Sequence, residues 1–179
     1  MIVLVDQDGP LADFERGFLE CWQRQYPGAF SIPYEARRSF YLRDEYPPHL
    51  RTWVDGIYCA PGFYRSLPPT PGCVEAMREM LDLGLDVRIC TAPLTRYEHC
   101  VLEKYQWTEE HLGHAFTKRM IVTKDKTLVR GAYLIDDRPT VEGTLKPEWE
   151  HVLFDCPYNS QIPRKRRLNW SNWREILGV

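Results

Sequence analysis

Four short apolar runs, rich in valine, isoleucine and leucine, recur at unequal intervals along the chain. They cover Ile2–Val5, Asp86–Cys90, Tyr133–Ile135 and His151–Phe154. Each run is too short for a helix, and turn-forming or polar residues flank it, which is typical of buried β-strands. Segments with helical spacing separate the runs. The pattern therefore predicts an α/β fold in which helices cover a parallel sheet.

An insertion separates the first run from the second. About eighty residues lie between them, far more than one crossover helix requires. The interval begins with a helical pattern from Asp13 to about Tyr26 and then becomes rich in proline, arginine and aromatic residues. We predict a small helical lid over residues 14–72, while residues 1–13 and 73–179 form the core domain.

Two helices are predicted after the insertion. The segment Pro68–Gly72 ends the lid, and an apolar helical pattern follows over Cys73–Leu83. Near the end of the sequence, Ser171 and Asn172 offer side chains that cap a closing helix. The apolar residues that this helix is expected to bury are Trp173, Ile176 and Leu177.

Composition and charge narrow the class of protein. Hydrophobic residues make up 44% of the chain, charged residues 27%, and the formal net charge is -2. We therefore expect a globular protein with a small-molecule partner, because a protein that coats nucleic acid carries an excess of lysine and arginine. No apolar run is long enough for a membrane helix or a signal peptide. The six cysteines form no Cys-x-x-Cys pair, so we expect reduced thiols and a cytoplasmic protein.

The strongest chemical signal is Asp6-Gln7-Asp8-Gly9, directly after the first apolar run. Ligands of open α/β sheets bind at the carboxyl ends of strands, so reactive carboxylates are expected here. Asp6 is the candidate nucleophile toward phosphorus, and Asp8 is the candidate acid that protonates the departing alkoxide. Two alternatives are a calcium loop, which the apolar residues after Gly9 contradict, and an ordinary Asp-Gly turn.

Three further signals follow later runs. Thr91 offers phosphate a hydroxyl and a neighbouring backbone N–H at the start of a helical segment, although a helix cap is the alternative. Lys126 is placed to neutralise a transferring phosphoryl group, although a lone lysine is more often exposed. Asp136 and Asp137 repel each other unless a cation lies nearby, although solvated loop acids are the alternative. Taken together, the four signals favour a phosphate site, and its oxygen-only donors suit Mg²⁺.

These motifs resemble the four motifs of phosphatases of the haloacid dehalogenase type. More narrowly, the chain resembles the 5'(3')-deoxyribonucleotidases, and the cytosolic form especially. The resemblance extends nearly from end to end. It includes Leu11–Glu15, Ala60–Phe63, Lys124–Thr127 and Trp149–Phe154.

The resemblance implies a Rossmann-like core with a small cap and an aspartyl-phosphate intermediate on Asp6. It implies Mg²⁺ bound by Asp6, by the backbone carbonyl of Asp8 and by Asp137. Phosphate is then held by Thr91 and Lys126. The expected substrate is a nucleoside monophosphate, with deoxyribonucleotides preferred, and the family often forms homodimers.

Further residues have supporting or substrate-binding roles in this interpretation. Asp136 and Lys104 support the site. Aromatic rings in a lid are able to stack on a base, although packing within the cap is the alternative for each ring. The rings expected against the nucleoside are Phe14, Phe40, Tyr41 and Tyr58.

The sequence departs from the family pattern at three positions. Gln7 and Pro10 replace the usual residues of the first motif, and we expect little effect because the side chain between the two aspartates points away from the metal. Ala92 stands where a serine usually follows the motif threonine. This change removes a hydroxyl from the phosphate or base pocket and leaves the base preference open.

Two other functions stay open on the sequence alone. One is a related phosphatase that acts on a sugar phosphate or a nucleic-acid end. The other is a nucleic-acid-binding module built on the basic run Arg164–Trp170, for which a solvated tail segment is the usual alternative. We expect no stable binding to nucleic acid and no binding to membranes.

Overall fold

The computed structural model describes residues 1–163 and 165–179. Its strands are β1 (Ile2–Val5), β2 (Asp86–Thr91), β3 (Met120–Val122), β4 (Tyr133–Asp136), β5 (Glu150–Phe154) and β6 (Arg167–Leu168). In these residues the strands form one parallel sheet in the order β3-β2-β1-β4-β5-β6. The prediction of an α/β fold with a parallel sheet is confirmed, and the four apolar runs are four of the strands.

Strand β1 lies in the middle of the sheet. It pairs with β2 on one side and β4 on the other, so that Val5 is opposite both Ile89 and Ile135. The side chains of Val3, Leu4 and Val5 are completely buried, which explains why this strand is an unbroken apolar run. The residues after β1 therefore lie between the residues that follow β2 and those that follow β4.

Two short strands were not predicted from the apolar pattern. Strand β3 has three partly buried residues, and β6 lies within the basic run near the end of the sequence. The expectation of a solvated tail is wrong for the described part of this run, because Leu168 is buried and the run pairs with β5. Arg166 and Arg167 form ion pairs with Glu150 and Asp155. Arg164, the first residue of the run, lies outside the described residues.

The helices are α1 (Phe14–Gln25), α2 (Leu42–Glu45), α3 (Arg51–Tyr58), α4 (Cys73–Asp82), α5 (Cys100–Leu112), α6 (His114–Thr117) and α7 (Trp173–Leu177). The predicted helix after Asp13 is α1, and Oδ1 of Asp13 accepts a hydrogen bond from the Arg16 backbone N–H at 3.0 Å. Phe18 and Trp22, one turn apart on α1, are buried. No helix in the described ranges is long and apolar enough to cross a membrane.

The hydrogen bonds in the segment before α7 differ from the predicted helix cap. Oδ1 of Asn172 accepts a hydrogen bond from the Asn169 backbone N–H at 2.9 Å, and no side chain of residues 1–163 and 165–179 caps α7. The capping role predicted for Ser171 and Asn172 is therefore wrong. Trp170 is buried, and its Nε1 donates to the Pro10 carbonyl at 2.6 Å. This bond fastens the end of the sheet to the loop that follows β1.

Candidate active site

The carboxyl ends of the central strands meet at one edge of the sheet. Asp6 directly follows β1, Thr91 is the last residue of β2, and Asp136 is the last residue of β4. A cavity of about 390 Å³ opens at this edge. The charged residues that line it include Asp6, Asp8, Lys126, Asp136 and Asp137.

Asp6 is held by one of its two carboxylate oxygens. Oδ1 accepts hydrogen bonds from the Gln7 backbone N–H at 2.8 Å and from Lys126 Nζ at 2.9 Å. No donor among residues 1–163 and 165–179 bonds to Oδ2, which is left for another partner. Burial raises the pKa of the Asp6 carboxyl, and the Lys126 ammonium acts in the opposite direction.

Lys126 lies between two carboxylates. Its Nζ is 2.6 Å from Asp136 Oδ2 and 2.9 Å from Asp6 Oδ1. Burial by itself lowers the pKa of a lysine, but Asp136 and Asp6 outweigh it and raise the pKa of Lys126 above its usual range. Trp149 Nε1 donates to the Lys126 carbonyl at 3.2 Å and fixes the backbone there. The alternative of a solvent-exposed lysine is excluded, since Lys126 is buried between two carboxylates.

Asp6, Asp136 and Asp137 place carboxylate oxygens within 4.8 Å of one another. Both oxygens of Asp136 have donors, because Oδ2 accepts from Lys126 and Oδ1 accepts from the Arg138 backbone N–H at 2.9 Å. In Asp137, Oδ2 accepts from the Tyr158 hydroxyl, whereas the buried Oδ1 has no partner among the residues that the structure describes.

Among these three carboxylates, Asp137 is therefore the one with a buried oxygen that no described residue pairs with. Burial raises the pKa of its carboxyl well above the usual range, and the negative charges of Asp136 and Asp6 raise it further. A buried, unpaired carboxylate oxygen is costly unless a cation or a proton satisfies it. The three carboxylates are oxygen donors of the kind that hold a hard divalent cation.

Gly9 lets the first loop approach Asp137 closely. Its φ is +90°, a conformation that favours glycine, and a Cβ at this position would lie 2.8 Å from Asp137 Cγ. Thr70 Oγ1 donates to the Gly9 carbonyl at 2.7 Å and holds the turn. A larger residue at Gly9 would push the loop after β1 away from β4.

Asp8 and Lys104 form a second ion pair beside the carboxylate group. Lys104 Nζ lies 2.7 Å from Asp8 Oδ1 and 3.0 Å from Thr91 Oγ1, and it sits 4.9 Å from the centre of the Tyr64 ring. The side chain of Asp8 therefore faces Lys104, and it is not one of the three clustered carboxylates. Burial raises the pKa of Asp8, and Lys104 opposes that rise.

Thr91 and Gln7 are not among the residues that line the cavity. Thr91 is completely buried, and helix α5 begins at Cys100, so the predicted helical segment directly after Thr91 is wrong. A helix dipole at Thr91 is therefore not part of the site. Gln7 Nε2 donates to the Lys104 carbonyl at 3.0 Å, which agrees with the expectation that this side chain turns away from the carboxylates.

Aromatic rings line the same cavity. They include all four rings singled out in the sequence, Phe14, Phe40, Tyr41 and Tyr58. Phe14 and Tyr58 have ring centroids 6.1 Å apart, and Phe40 and Tyr41 have centroids 5.2 Å apart. Arg138 Nη2 donates to the Tyr41 hydroxyl at 2.9 Å, so the residue after Asp137 contacts the insertion directly.

Sequence reasoning missed two residues that hold Asp137. The Tyr158 hydroxyl donates to the Asp137 carboxylate, and Asn159 Nδ2 donates to the Asp137 carbonyl at 2.8 Å. Both residues follow β5 at the same edge of the sheet. Their position after the fourth apolar run was the signal that could have revealed them.

Comparison with known proteins identifies the family of the chain. The family model described as "5' nucleotidase, deoxy (Pyrimidine), cytosolic type C protein" matches residues 1–179. The human cytosolic 5'(3')-deoxyribonucleotidase is 50% identical over 185 aligned residues, covering 98% of this chain and 92% of the human protein. A Bordetella pertussis protein, provisionally named a 5'(3')-deoxyribonucleotidase, is 52% identical over 177 residues, covering 99% and 95%.

A solved structure supports the fold independently. A HAD family hydrolase of Deinococcus radiodurans, with bound phosphate and sodium, superposes with a TM-score of 0.62 at 15% identity, covering 99% of this chain and 94% of that one. At this identity the likeness concerns the fold alone. The match over the full length and the two close relatives go further, and the chain belongs to the cytosolic type C family of 5' deoxynucleotidases.

Proposed function

We propose that this protein hydrolyses the phosphate ester of nucleoside monophosphates, with deoxyribonucleotides preferred, through a covalent phosphate on Asp6. One observation carries the proposal: a single cavity is lined by a group of carboxylates with Lys126 and also by four aromatic rings. The carboxylates and Lys126 suit a phosphate with a cation, and the aromatic rings suit a nucleoside. Membership of a deoxynucleotidase family points to the same substrate class.

We take the cation to be Mg²⁺, because the available donors are oxygens and the unpaired Oδ1 of Asp137 requires a positive partner. Asp6, Asp137 and the backbone carbonyl of Asp8 would hold it. When bound, Mg²⁺ neutralises charge on the nucleophile and on the phosphate oxygens, so that two anions can approach each other.

In the first half of the reaction, a carboxylate oxygen of Asp6 attacks phosphorus and the bond from phosphorus to the nucleoside oxygen breaks. Asp8 gives its proton to that oxygen, which leaves as a nucleoside hydroxyl. The raised pKa of Asp8 keeps the proton available for this step. Lys126 stays protonated between Asp6 and Asp136 and stabilises negative charge on the phosphoryl oxygens.

In the second half, water attacks the phosphorus of the aspartyl phosphate and the bond from phosphorus to the Asp6 oxygen breaks. The ionised Asp8 takes a proton from the attacking water, so inorganic phosphate leaves and both aspartates return to their initial states. Lys104 lies 2.7 Å from Asp8 Oδ1 and supports the ionised form between the two halves. Thr91, whose hydroxyl contacts Lys104, stays a predicted phosphate ligand.

The remaining assignments concern the insertion and the cellular setting. Residues 14–72 serve as the cap that carries Phe14, Phe40, Tyr41 and Tyr58. The cytoplasm is the proposed compartment, since the six cysteines are free thiols and a human relative is the cytosolic type. Assembly into a homodimer stays a prediction.

Phosphate release from a panel of phosphomonoesters tests the proposal. The panel contains deoxyribo- and ribonucleoside monophosphates, two sugar phosphates and a 5'-phosphorylated oligonucleotide, each with Mg²⁺. We expect the highest kcat/KM for a deoxyribonucleoside monophosphate. Faster hydrolysis of a sugar phosphate or of the oligonucleotide would replace the nucleotide assignment by the related phosphatase activity.

A further inference from the structure

Arg37 is completely buried in the insertion, which is unusual for arginine. Its guanidinium faces two carboxylates on different helices, Glu15 on α1 and Glu45 on α2, and Nε lies 3.0 Å from Glu45 Oε1. The side chains of Glu15 and Glu45 are only 9% and 15% exposed. The three residues therefore form a buried ionic cluster with one positive and two negative side chains.

This cluster fixes the backbone just before the aromatic pair. Arg37 Nη2 donates to the Ser39 carbonyl at 2.8 Å. Glu45 Oε1 accepts from the backbone N–H groups of Arg38 at 3.0 Å and Ser39 at 2.6 Å. Both backbone polar groups of Ser39 are thus held, and the next residue, Phe40, begins the part of the segment that lines the cavity.

Arg37 also contacts Tyr158, a residue that holds Asp137. Its guanidinium carbon lies 5.4 Å from the centre of the Tyr158 ring, and the Tyr158 hydroxyl donates to Asp137. The rings of Phe40 and Tyr158 are neighbours as well, with centroids 6.1 Å apart. A continuous set of contacts therefore runs from Glu15 through Arg37 and Tyr158 to Asp137.

Stability alone is a weak reason for such a cluster, because well-packed apolar residues often replace buried ion pairs without loss. The arrangement uses the planar, forked donor set that distinguishes arginine from lysine. We propose that Arg37 is a positioning residue, which holds the Phe40–Tyr41 segment at a fixed place relative to Tyr158 and Asp137. The inference rests on the proposed function, since it concerns how the nucleoside is held while its phosphate reacts.

Steady-state kinetics of Arg37→Lys with two substrates test this role. One substrate is dUMP, and the other is p-nitrophenyl phosphate, which has no nucleoside to align. The lysine keeps the charge but loses the fork, so we expect kcat/KM for dUMP to fall on the order of 10- to 100-fold, mainly through KM. The ratio of dUMP to p-nitrophenyl phosphate activity should fall at least about tenfold. Arg16→Lys, in the exposed Arg16–Glu20 pair of α1, is the matched control and should leave the ratio unchanged.

A double-mutant cycle with Phe40→Ala asks whether Arg37 acts through the aromatic segment. If it does, Arg37→Lys adds little to the dUMP loss once Phe40 is absent. Glu45→Gln replaces Arg37→Lys in both experiments if the lysine variant fails to fold. Equal fractional losses for both substrates, or fully additive losses in the cycle, would overturn the positioning role. A wild-type enzyme that hydrolyses p-nitrophenyl phosphate but no nucleotide would count against the proposed function instead.

Discussion

Oδ1 of Asp8 lies 2.7 Å from Nζ of Lys104, and the side chain of Lys104 is 1% exposed. This partly buried ion pair stands next to the nucleophile candidate but outside the cluster of three carboxylates. Burial raises the pKa of Asp8 more than Lys104 lowers it, so its proton persists at a pH at which an ordinary aspartic acid is ionised. Asp8, the proposed acid, is therefore paired with a lysine of its own and is not part of the carboxylate group that contains Asp6.

Replacement of Asp8 should affect leaving groups unequally. Asp8→Asn removes the proton donor, so hydrolysis of dUMP, whose alkoxide needs protonation, should fall about 10²- to 10⁴-fold. Hydrolysis of p-nitrophenyl phosphate should fall much less, because p-nitrophenolate leaves without a proton. The measurement is the ratio of the two kcat values. An equal loss for both substrates would mean that Asp8 does not act as the acid.

Asp6→Asn should abolish phosphate release with the fold intact. The amide keeps the shape of the side chain but is a poor nucleophile, and we expect kcat to fall by a factor of about a thousand or more. Circular dichroism and the melting temperature serve as folding controls. If pure Asp6→Asn enzyme kept more than a few per cent of the wild-type rate, another residue would be the nucleophile.

Mg²⁺ should stabilise the protein in the absence of substrate. A bound cation would pair with Oδ1 of Asp137 and neutralise negative charge on the three clustered carboxylates. The melting temperature should therefore rise with Mg²⁺ concentration. At a hundred times the Kd the gain is about 2.7 kcal/mol. Asp137→Asn should remove most of this rise. It should also melt higher than the wild type in EDTA, because one buried like charge is gone.

His151 should make the protein less stable in mild acid. Burial, and then the Lys165 charge, lower the pKa of its imidazole to about 4, whereas an unfolded histidine has a pKa of about 6.5. Between these two pKa values the unfolded state therefore binds a proton at His151 that the folded state does not bind. The free energy of unfolding has its full value above pH 6.5 and decreases as the pH falls toward 4. At pH 5 the decrease due to His151 is about 2 kcal/mol.

Urea unfolding of the wild type and of His151→Gln, at pH 7.5 and pH 5 in EDTA, measures this effect. The free energy of unfolding should drop less between the two pH values in the variant, because acids common to both proteins cancel in the comparison. Identical drops would show that His151 does not titrate in this range.

Deoxyribonucleotides should react faster than ribonucleotides. If apolar rings face the 2' position, a ribose hydroxyl loses water without gaining a partner, which costs about 1–3 kcal/mol. An apolar pocket rejects an added hydroxyl by only about a hundredfold, so ribonucleotides should remain slow substrates. The comparison is kcat/KM for dUMP against UMP and for dGMP against GMP. Equal values in both pairs would remove the sugar preference but leave the phosphatase assignment intact.

The sheet was largely predictable because most of its strands are buried on both faces and therefore apolar. Strand β3 has only three residues, and none of them is fully buried. Strand β6 carries Arg167, whose charge is compensated by Asp155. A hydrophobic pattern does not predict an edge strand whose polar side chains are paired by partners distant in sequence.

The site was predictable to the extent that its residues directly follow strands. Asp6, Thr91, Asp136 and Asp137 lie at or directly after strand ends, and Lys126 was also a candidate from the sequence before the resemblance to a known family supported it. Arg37 does not follow a strand and does not belong to a hydrophobic pattern, so the sequence did not single it out. Its role arises because α1, α2 and the segment after β5 meet around one side chain, and this three-dimensional coincidence leaves no local signal.

The hydrogen bond from Trp170 to Pro10 spans 160 residues of sequence. A ribosome makes chains from the amino end, so the loop with both aspartates is synthesised before the insertion and before strands β2 to β6. Pro10 follows Asp8 by two positions, and its carbonyl gains the Trp170 indole as a partner only after Trp170 has been made. The order of synthesis thus delays this support of the loop until the last strand of the sheet has been synthesised.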